Sequence, residues 1–185
     1  VFESGSADRD DLWLLLVGKF EDGDPVDDAT HTTIETHPRI VVVPWLDHPG
    51  AAYRAMDVLA FPSYREGLPN VPLEAQVCGV PVVGYAATGT VDAVADGETG
   101  LLVPVGDRIG LRVSIERVLI DGEQRQRFAD AGQTRVVVAF DQASLWSVLV
   151  DTYRRSFTGR TQRCASDAST DEVGRARPKG PRAAP

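Results

Sequence analysis

The chain is 185 residues long, 43% hydrophobic and 25% charged, with 12 prolines and a net charge of −8; this is material for one well-buried domain and not for a second core of similar size. It holds no apolar run of about 18 residues, so the sequence predicts no membrane-spanning helix. The charge is uneven: residues 1–153 carry 11 basic and 24 acidic side chains, which argues against nucleic-acid binding, whereas residues 154–185 carry 8 and 3.

The opening residues, Val1-Phe2-Glu3-Ser4-Gly5-Ser6, include no initiating Met, basic start or apolar signal core, and read as the edge of a fragment. Leu12-Trp13-Leu14-Leu15-Leu16-Val17, followed by Gly18, is a continuous apolar run of strand length, as expected for a strand covered on both faces. Ile40-Val41-Val42-Val43, Val58-Leu59-Ala60-Phe61, Pro81-Val82-Val83-Gly84 and Gly100-Leu101-Leu102-Val103 repeat it. Short helical candidates lie between these runs near residues 49–56, 70–78 and 90–95. Strand alternating with helix predicts an α/β fold with a parallel, doubly wound sheet. From Asp107 the spacing of Ile109, Val113, Ile115, Val118 and Leu119 predicts an amphipathic helix stopped by Asp121-Gly122. Two more follow near 123–138 and 142–156, the last with Leu145, Trp146, Leu149, Val150 and Tyr153 as its buried face. We expect one domain over 1–156. The segment 157–185 is basic and rich in Gly, Ser, Thr, Ala and Pro, and reads as a disordered, solvated tail.

The most informative stretch is Pro62-Ser63-Tyr64-Arg65-Glu66-Gly67-Leu68-Pro69-Asn70-Val71-Pro72-Leu73-Glu74-Ala75. It sets two glutamates eight residues apart: Glu66 in a Gly/Pro/Asn loop after an apolar run, and Glu74 about one turn inside the helix that Pro69-Asn70 begins. Both carboxylates then line one crevice. A helix N-terminus offers unpaired N–H groups and a positive dipole end to a diphosphate, while carboxylates accept hydrogen bonds from hydroxyls.

Taken with Ala55-Met56-Asp57-Val58, Ala75-Gln76-Val77-Cys78-Gly79-Val80-Pro81-Val82-Val83 and Asp96-Gly97-Glu98-Thr99-Gly100-Leu101-Leu102-Val103, this E-x7-E pattern resembles the C-terminal, donor-binding domain of the family 4 (group 1) retaining glycosyltransferases. Their GT-B fold has two facing Rossmann-like domains, so the chain looks like the C-terminal one, truncated at its own N-terminal side. Tyr64-Arg65-Glu66-Gly67 and Gly89-Thr90-Val91-Asp92-Ala93-Val94 look most like bacterial members that build capsular, exopolysaccharide or lipid-linked glycans.

The resemblance implies hexosyl transfer from a nucleoside-diphosphate sugar, UDP-sugar first, with retained anomeric configuration and without a metal or other cofactor. It implies that Glu74 accepts hydrogen bonds from both ribose hydroxyls, a vicinal diol suited to two acceptor oxygens. Glu66, the residue singled out for the chemistry, contacts hydroxyls of the transferred sugar. The backbone of Gly67, Leu68, Asn70 and Val71 holds the distal phosphate and sugar, Gly67 allows close approach, and Pro69 presets the first helical φ. The base lies near Trp45 and Leu46, where Trp45 either stacks on it or caps the sheet edge. Gly89-Thr90 supplies either another phosphate-side N–H pair or a plain helix cap.

The family's diphosphate-neutralising Arg and Lys precede the position of Leu12 and have no counterpart here, since the only lysines are Lys19 and Lys179. The acceptor domain, through which a glycan or lipid-linked acceptor would bind, is missing too, so the chain alone is expected to be inactive. A non-catalytic nucleotide- or partner-binding fragment is therefore the rival reading. A dinucleotide-dependent oxidoreductase is weak because no G-x-G-x-x-G follows a strand, and a GT-B epimerase rests on fold alone. His31, His37 and His48 read as surface residues, Cys78 as a buried helix residue, and Asp8-Arg9-Asp10 and Asp22-Gly23-Asp24 as turns rather than metal motifs. With cysteines only at 78 and 164, a cytoplasmic setting is expected, with peripheral association of the full enzyme at the inner membrane face.

Overall fold

Among the described residues, five short parallel strands and seven helices alternate along Val1–Ala139, the first of two units into which the chain divides. The computed structural model describes residues 1–7, 9–20, 23, 25–141 and 146–155. The tail 157–185, Cys164, Leu145, Asp8, Asp22 and Asp24 lie outside the described residues.

Strands β1 (Leu14–Val17) and β2 (Ile40–Val43) pair in parallel, Leu14 opposite Ile40. Strands β3 (Leu59–Phe61), β4 (Val82–Tyr85) and β5 (Gly100–Val103) form a second parallel set in the order β3-β4-β5. The expected doubly wound pattern is therefore present in two hydrogen-bonded pieces, because β2 pairs with β1 and not with β3. All four residues of β4 are buried. In β2 the inner residues Val41 and Val42 are exposed, so cover on both faces is met in one piece and not in the other.

The helices α3 (Gly50–Arg54), α4 (Asn70–Val77), α5 (Thr90–Ala93), α6 (Arg108–Ile120) and α7 (Gly122–Ala139) fall where the sequence predicts them. The Asp107 carboxylate accepts from Gly110 N–H at 2.8 Å and opens α6, while Asp121 closes it and accepts from Gln124 N–H at 2.8 Å to open α7. The core face of α6 is Leu111, Ile115 and Val118, whereas Ile109 and Val113 face solvent, so the buried stripe is out of phase with part of the spacing read from sequence.

Two helices escaped the sequence reading, α1 (Phe2–Ser6) and α2 (Asp28–Thr36). The second has four threonines and a single large apolar residue, Ile34, so it shows neither propensity nor a stripe. Its signal was the cap: the Asp27 carboxylate accepts from Thr30 N–H at 3.0 Å and from Thr30 Oγ–H at 2.7 Å. These bonds hold Asp27 below its ordinary pKa.

The core of the first unit has two clusters. Tyr53, Ala75, Val80, Val82, Ala93 and Val94 form one, under α3, α4 and α5. Val83, Tyr85, Val103, Leu111, Val118 and Phe128 form the other, under α6 and α7. Between α4 and α5, the buried Gln76 amide donates through Nε2 to Pro72 O and Ala93 O, both at 3.0 Å.

The second unit begins at Phe140, and its described residues contain one helix, over 146–155. Trp146, Leu149, Val150 and Tyr153, expected as a buried face, are exposed. Among the described residues no helix is long and apolar enough to cross a membrane.

Candidate functional site

Because β3, β4 and β5 are parallel, the segments 62–69, 86–89 and 104–107 all leave from one edge of their sheet. In open parallel sheets this carboxyl edge is where ligands bind. The first segment runs from Phe61 into α4 and carries the glutamate pair.

That segment is fixed at three points. Ser63 Oγ–H donates to Glu66 Oε1 at 2.6 Å, and Glu66 N–H donates to Thr88 O at 3.2 Å. The third point is Gly89, with φ of +79°: a Cβ there would sit 1.8 Å from Gly67 O and 2.9 Å from Glu66 O. Only a residue without a side chain lets the two segments approach so closely. The Tyr64 ring also meets the buried Tyr85 edge-on, with centroids 5.5 Å apart.

Pro69 does not take the first helical position expected of it. Its ψ of 126° is extended, which makes it the N-cap, and Asn70 starts the helix. A second proline, Pro72, follows in the first turn, where its missing N–H would have had no intrahelical acceptor anyway. Asn70 and Val71 therefore carry the N–H groups presented at this positive helix end.

Glu66 is half-buried, Glu74 is exposed on α4, and Gly67, Leu68, Asn70 and Val71 are exposed around the helix start. A Cβ on Gly67 would meet nothing within 4 Å, so the surface over it is open. Six of the predicted residues thus lie together on one loop-helix unit whose backbone is accessible. Thr90 lies beside them but beneath the surface: it is buried, its N–H donates to Ala87 O at 3.1 Å, and its hydroxyl is buried without a hydrogen-bond partner. The N-cap of α5 is Gly89, with no side-chain cap bond, and Thr90 is its first helical residue.

Trp45 and Leu46 follow β2, at the carboxyl end of the other sheet piece. Trp45 is 74% exposed. None of the described hydrogen bonds or ring contacts joins either residue to the glutamate segment.

Two contributors were missed in the sequence. Tyr53, buried on α3, donates its hydroxyl to Glu74 Oε2 at 3.0 Å; burial, and then the carboxylate, raise its pKa far above the ordinary phenol value. It lies 21 residues from Glu74, beyond any local pattern. Ser63 is only three residues from Glu66, and its i, i+3 placement before a loop carboxylate was the available clue. Elsewhere, the Asp96-Gly97-Glu98-Thr99-Gly100 motif is turn structure: Asp96 Oδ1 accepts from Leu102 N–H at 2.8 Å and Thr99 Oγ1 from Ala95 N–H at 3.0 Å. Cys78 is the half-buried C-cap of α4 rather than a buried helix residue. His31 and His37 are half-buried and His48 is exposed.

The family model described as glycosyl transferases group 1 matches residues 4–121. The capsular polysaccharide biosynthesis glycosyltransferase CapM of Staphylococcus aureus is 33% identical over 140 residues, which cover 76% of this chain and 37% of CapM. Among solved structures, sucrose-phosphate synthase of Thermosynechococcus elongatus superposes with a TM-score of 0.72 at 31% identity, over 84% of this chain and 41% of the synthase. HepE of Anabaena, solved with UDP-glucose, shares the fold with a TM-score of 0.73 at 22% identity, over 83% of this chain and 44% of HepE. The chain thus spans about two-fifths of the length of each. With the match over residues 4–121 and the glutamate-bearing helix start at the sheet's carboxyl edge, the chain belongs to the group 1 glycosyltransferases.

Proposed function

We propose that this chain is the donor half of a retaining, family 4 glycosyltransferase of glycan assembly, and that it binds a nucleoside-diphosphate sugar. One observation carries the reading. The two glutamates flank the exposed N-terminal turn of α4, and each has one carboxylate oxygen tied to protein, Glu66 by Ser63 and Glu74 by Tyr53. Each oriented carboxylate keeps acceptor capacity for hydroxyls, and the helix end between them suits phosphate.

In this reading Glu74 receives the ribose diol, Glu66 the hydroxyls of the transferred sugar, and the N–H groups of the 67–71 segment the distal phosphate. Trp45 is the residue for the base. UDP is the first nucleotide to try, because HepE was solved with UDP-glucose. Glu66 orients rather than attacks: the acceptor adds on the face from which the diphosphate leaves, and the departing phosphate takes the acceptor's proton. Transfer needs an acceptor domain, whose substrate would be a glycan or a lipid-linked glycan, with the whole enzyme peripheral to the inner face of the membrane. The expected setting is cytoplasmic.

The test is calorimetric titration of the folded chain with UDP, GDP and ADP, repeated on Glu74→Ala. Saturable binding of one nucleotide, weakened at least about tenfold in the variant by loss of charge-assisted hydrogen bonds, is the expected result. A folded chain that binds none of the three would overturn the reading.

A further inference from the structure

We infer that Tyr53 is a positioning residue for the nucleotide: its hydroxyl holds Glu74 Oε2 so that the rest of the carboxylate is presented to the two ribose hydroxyls. The inference rests on the donor-binding reading given above, and it assigns the function of a residue on a different helix, α3.

The geometry that carries it is a phenol with its ring in the core and its hydroxyl on a surface carboxylate. Tyr53 is 7% exposed and packs in the cluster with Ala75, Val80 and Val82, alongside Met56 and Leu59. Its position is therefore fixed by the same contacts that hold α3 against α4. Glu74, by contrast, stands exposed on α4, and an exposed glutamate samples many rotamers. The 3.0 Å bond from Tyr53 Oη–H to Oε2 joins the fixed group to the free one. One carboxylate oxygen is thereby located to within a hydrogen bond, while Oε1 and a second lone pair on Oε2 stay available to a vicinal diol.

Phenylalanine would fill this part of the core without having to satisfy a hydroxyl, and buried tyrosine hydroxyls require a partner. Here the partner is the carboxylate read as the ribose acceptor. The bond also keeps the tyrosine neutral and donating, since burial and the adjacent charge both disfavour a phenolate. A donor that cannot ionise near neutral pH is what a fixed orientation of Glu74 requires.

The test separates orientation from general stability by using two ligands. UDP and 2′,3′-dideoxy-UDP are titrated calorimetrically into the chain, Tyr53→Phe and Glu74→Ala, each first shown to fold by circular dichroism and thermal melting. The ratio of their affinities measures how much the protein gains from the diol. Tyr53→Phe is expected to narrow that ratio by roughly three- to tenfold, the range of one net hydrogen bond, and to leave dideoxy-UDP binding unchanged. Glu74→Ala should abolish the ratio.

An unchanged ratio in Tyr53→Phe, with Glu74→Ala still abolishing it, would overturn the inference and leave the ribose reading intact. An equal loss for both ligands would reduce Tyr53 to a packing residue and overturn it as well. If the unsubstituted chain does not distinguish the two ligands, or binds neither, the ribose reading itself fails and this inference falls with it.

Discussion

Strands β2 and β4 are built from nearly the same material, Ile40-Val41-Val42-Val43 and Val82-Val83-Gly84-Tyr85, and meet opposite fates. Every residue of β4 is buried, between β3 and β5 and beneath α4 and α6. In β2, which has one strand neighbour, Val41 is 43% and Val42 48% exposed. An apolar run expresses a requirement for cover, and the neighbours decide whether it is met. The proposed site residues divide between the two: the glutamate pair grows from the carboxyl edge of the covered region, whereas Trp45 follows the thin one.

The comparison is broken most sharply by placing a charge in each strand. Val83→Asp, which puts an unpaired carboxylate at a fully buried position, is expected to abolish cooperative folding. Val42→Asp should cost less than about 1 kcal/mol, a contrast read directly from urea melts. Similar losses at the two positions would mean that β2 is covered after all.

Next in size is Gly89→Ala. The substitution forces an alanine to a φ of +79° and drives its Cβ into Gly67 O. We expect about 1–3 kcal/mol of destabilisation and loss of nucleotide binding, with circular dichroism still showing a folded chain. A variant that binds as well as the parent would show that the segment's placement does not matter to the site.

A comparable loss of stability, without the loss of nucleotide binding, is expected at the tie between helices. Gln76→Leu deprives Pro72 O and Ala93 O of the amide they share, for a cost of about 1–3 kcal/mol in denaturant unfolding. The smallest effect is in alkali. The folded-state pKa of Tyr53 is raised, so its contribution is complete below the unfolded value of about 10 and is lost as pH rises beyond it. Tyr53→Phe should flatten the fall in Tm above pH 10, and an identical alkaline profile would show that the phenol does not report the covered region.

The sequence was most legible where local chemistry and long-range packing agree. The turn residues of Glu66-Gly67-Leu68-Pro69-Asn70, the caps Asp107 and Asp121, and the valine-rich β4 all act within a few residues, so their elements could be read directly. What escaped is non-local or weakly patterned. The hydroxyl on Glu74 comes from 21 residues away, the contact between Gly89 and Gly67 joins two loops, and α2 is a threonine-rich helix announced only by its cap. The division of the sheet was hidden for the same reason, since strand pairing is set by neighbours and not by the run itself.

The close approach of Gly89 to Gly67 has a further consequence for how this site varies. The contact is backbone against backbone, so this one point of attachment does not depend on the side chains the segment displays. Arg65 and Leu68, both exposed, can therefore be exchanged without disturbing the contact between Gly89 and Gly67. The same interlock makes position 89 intolerant of any side chain, so variation along this segment is divided between a permissive rim and a single fixed hinge pin.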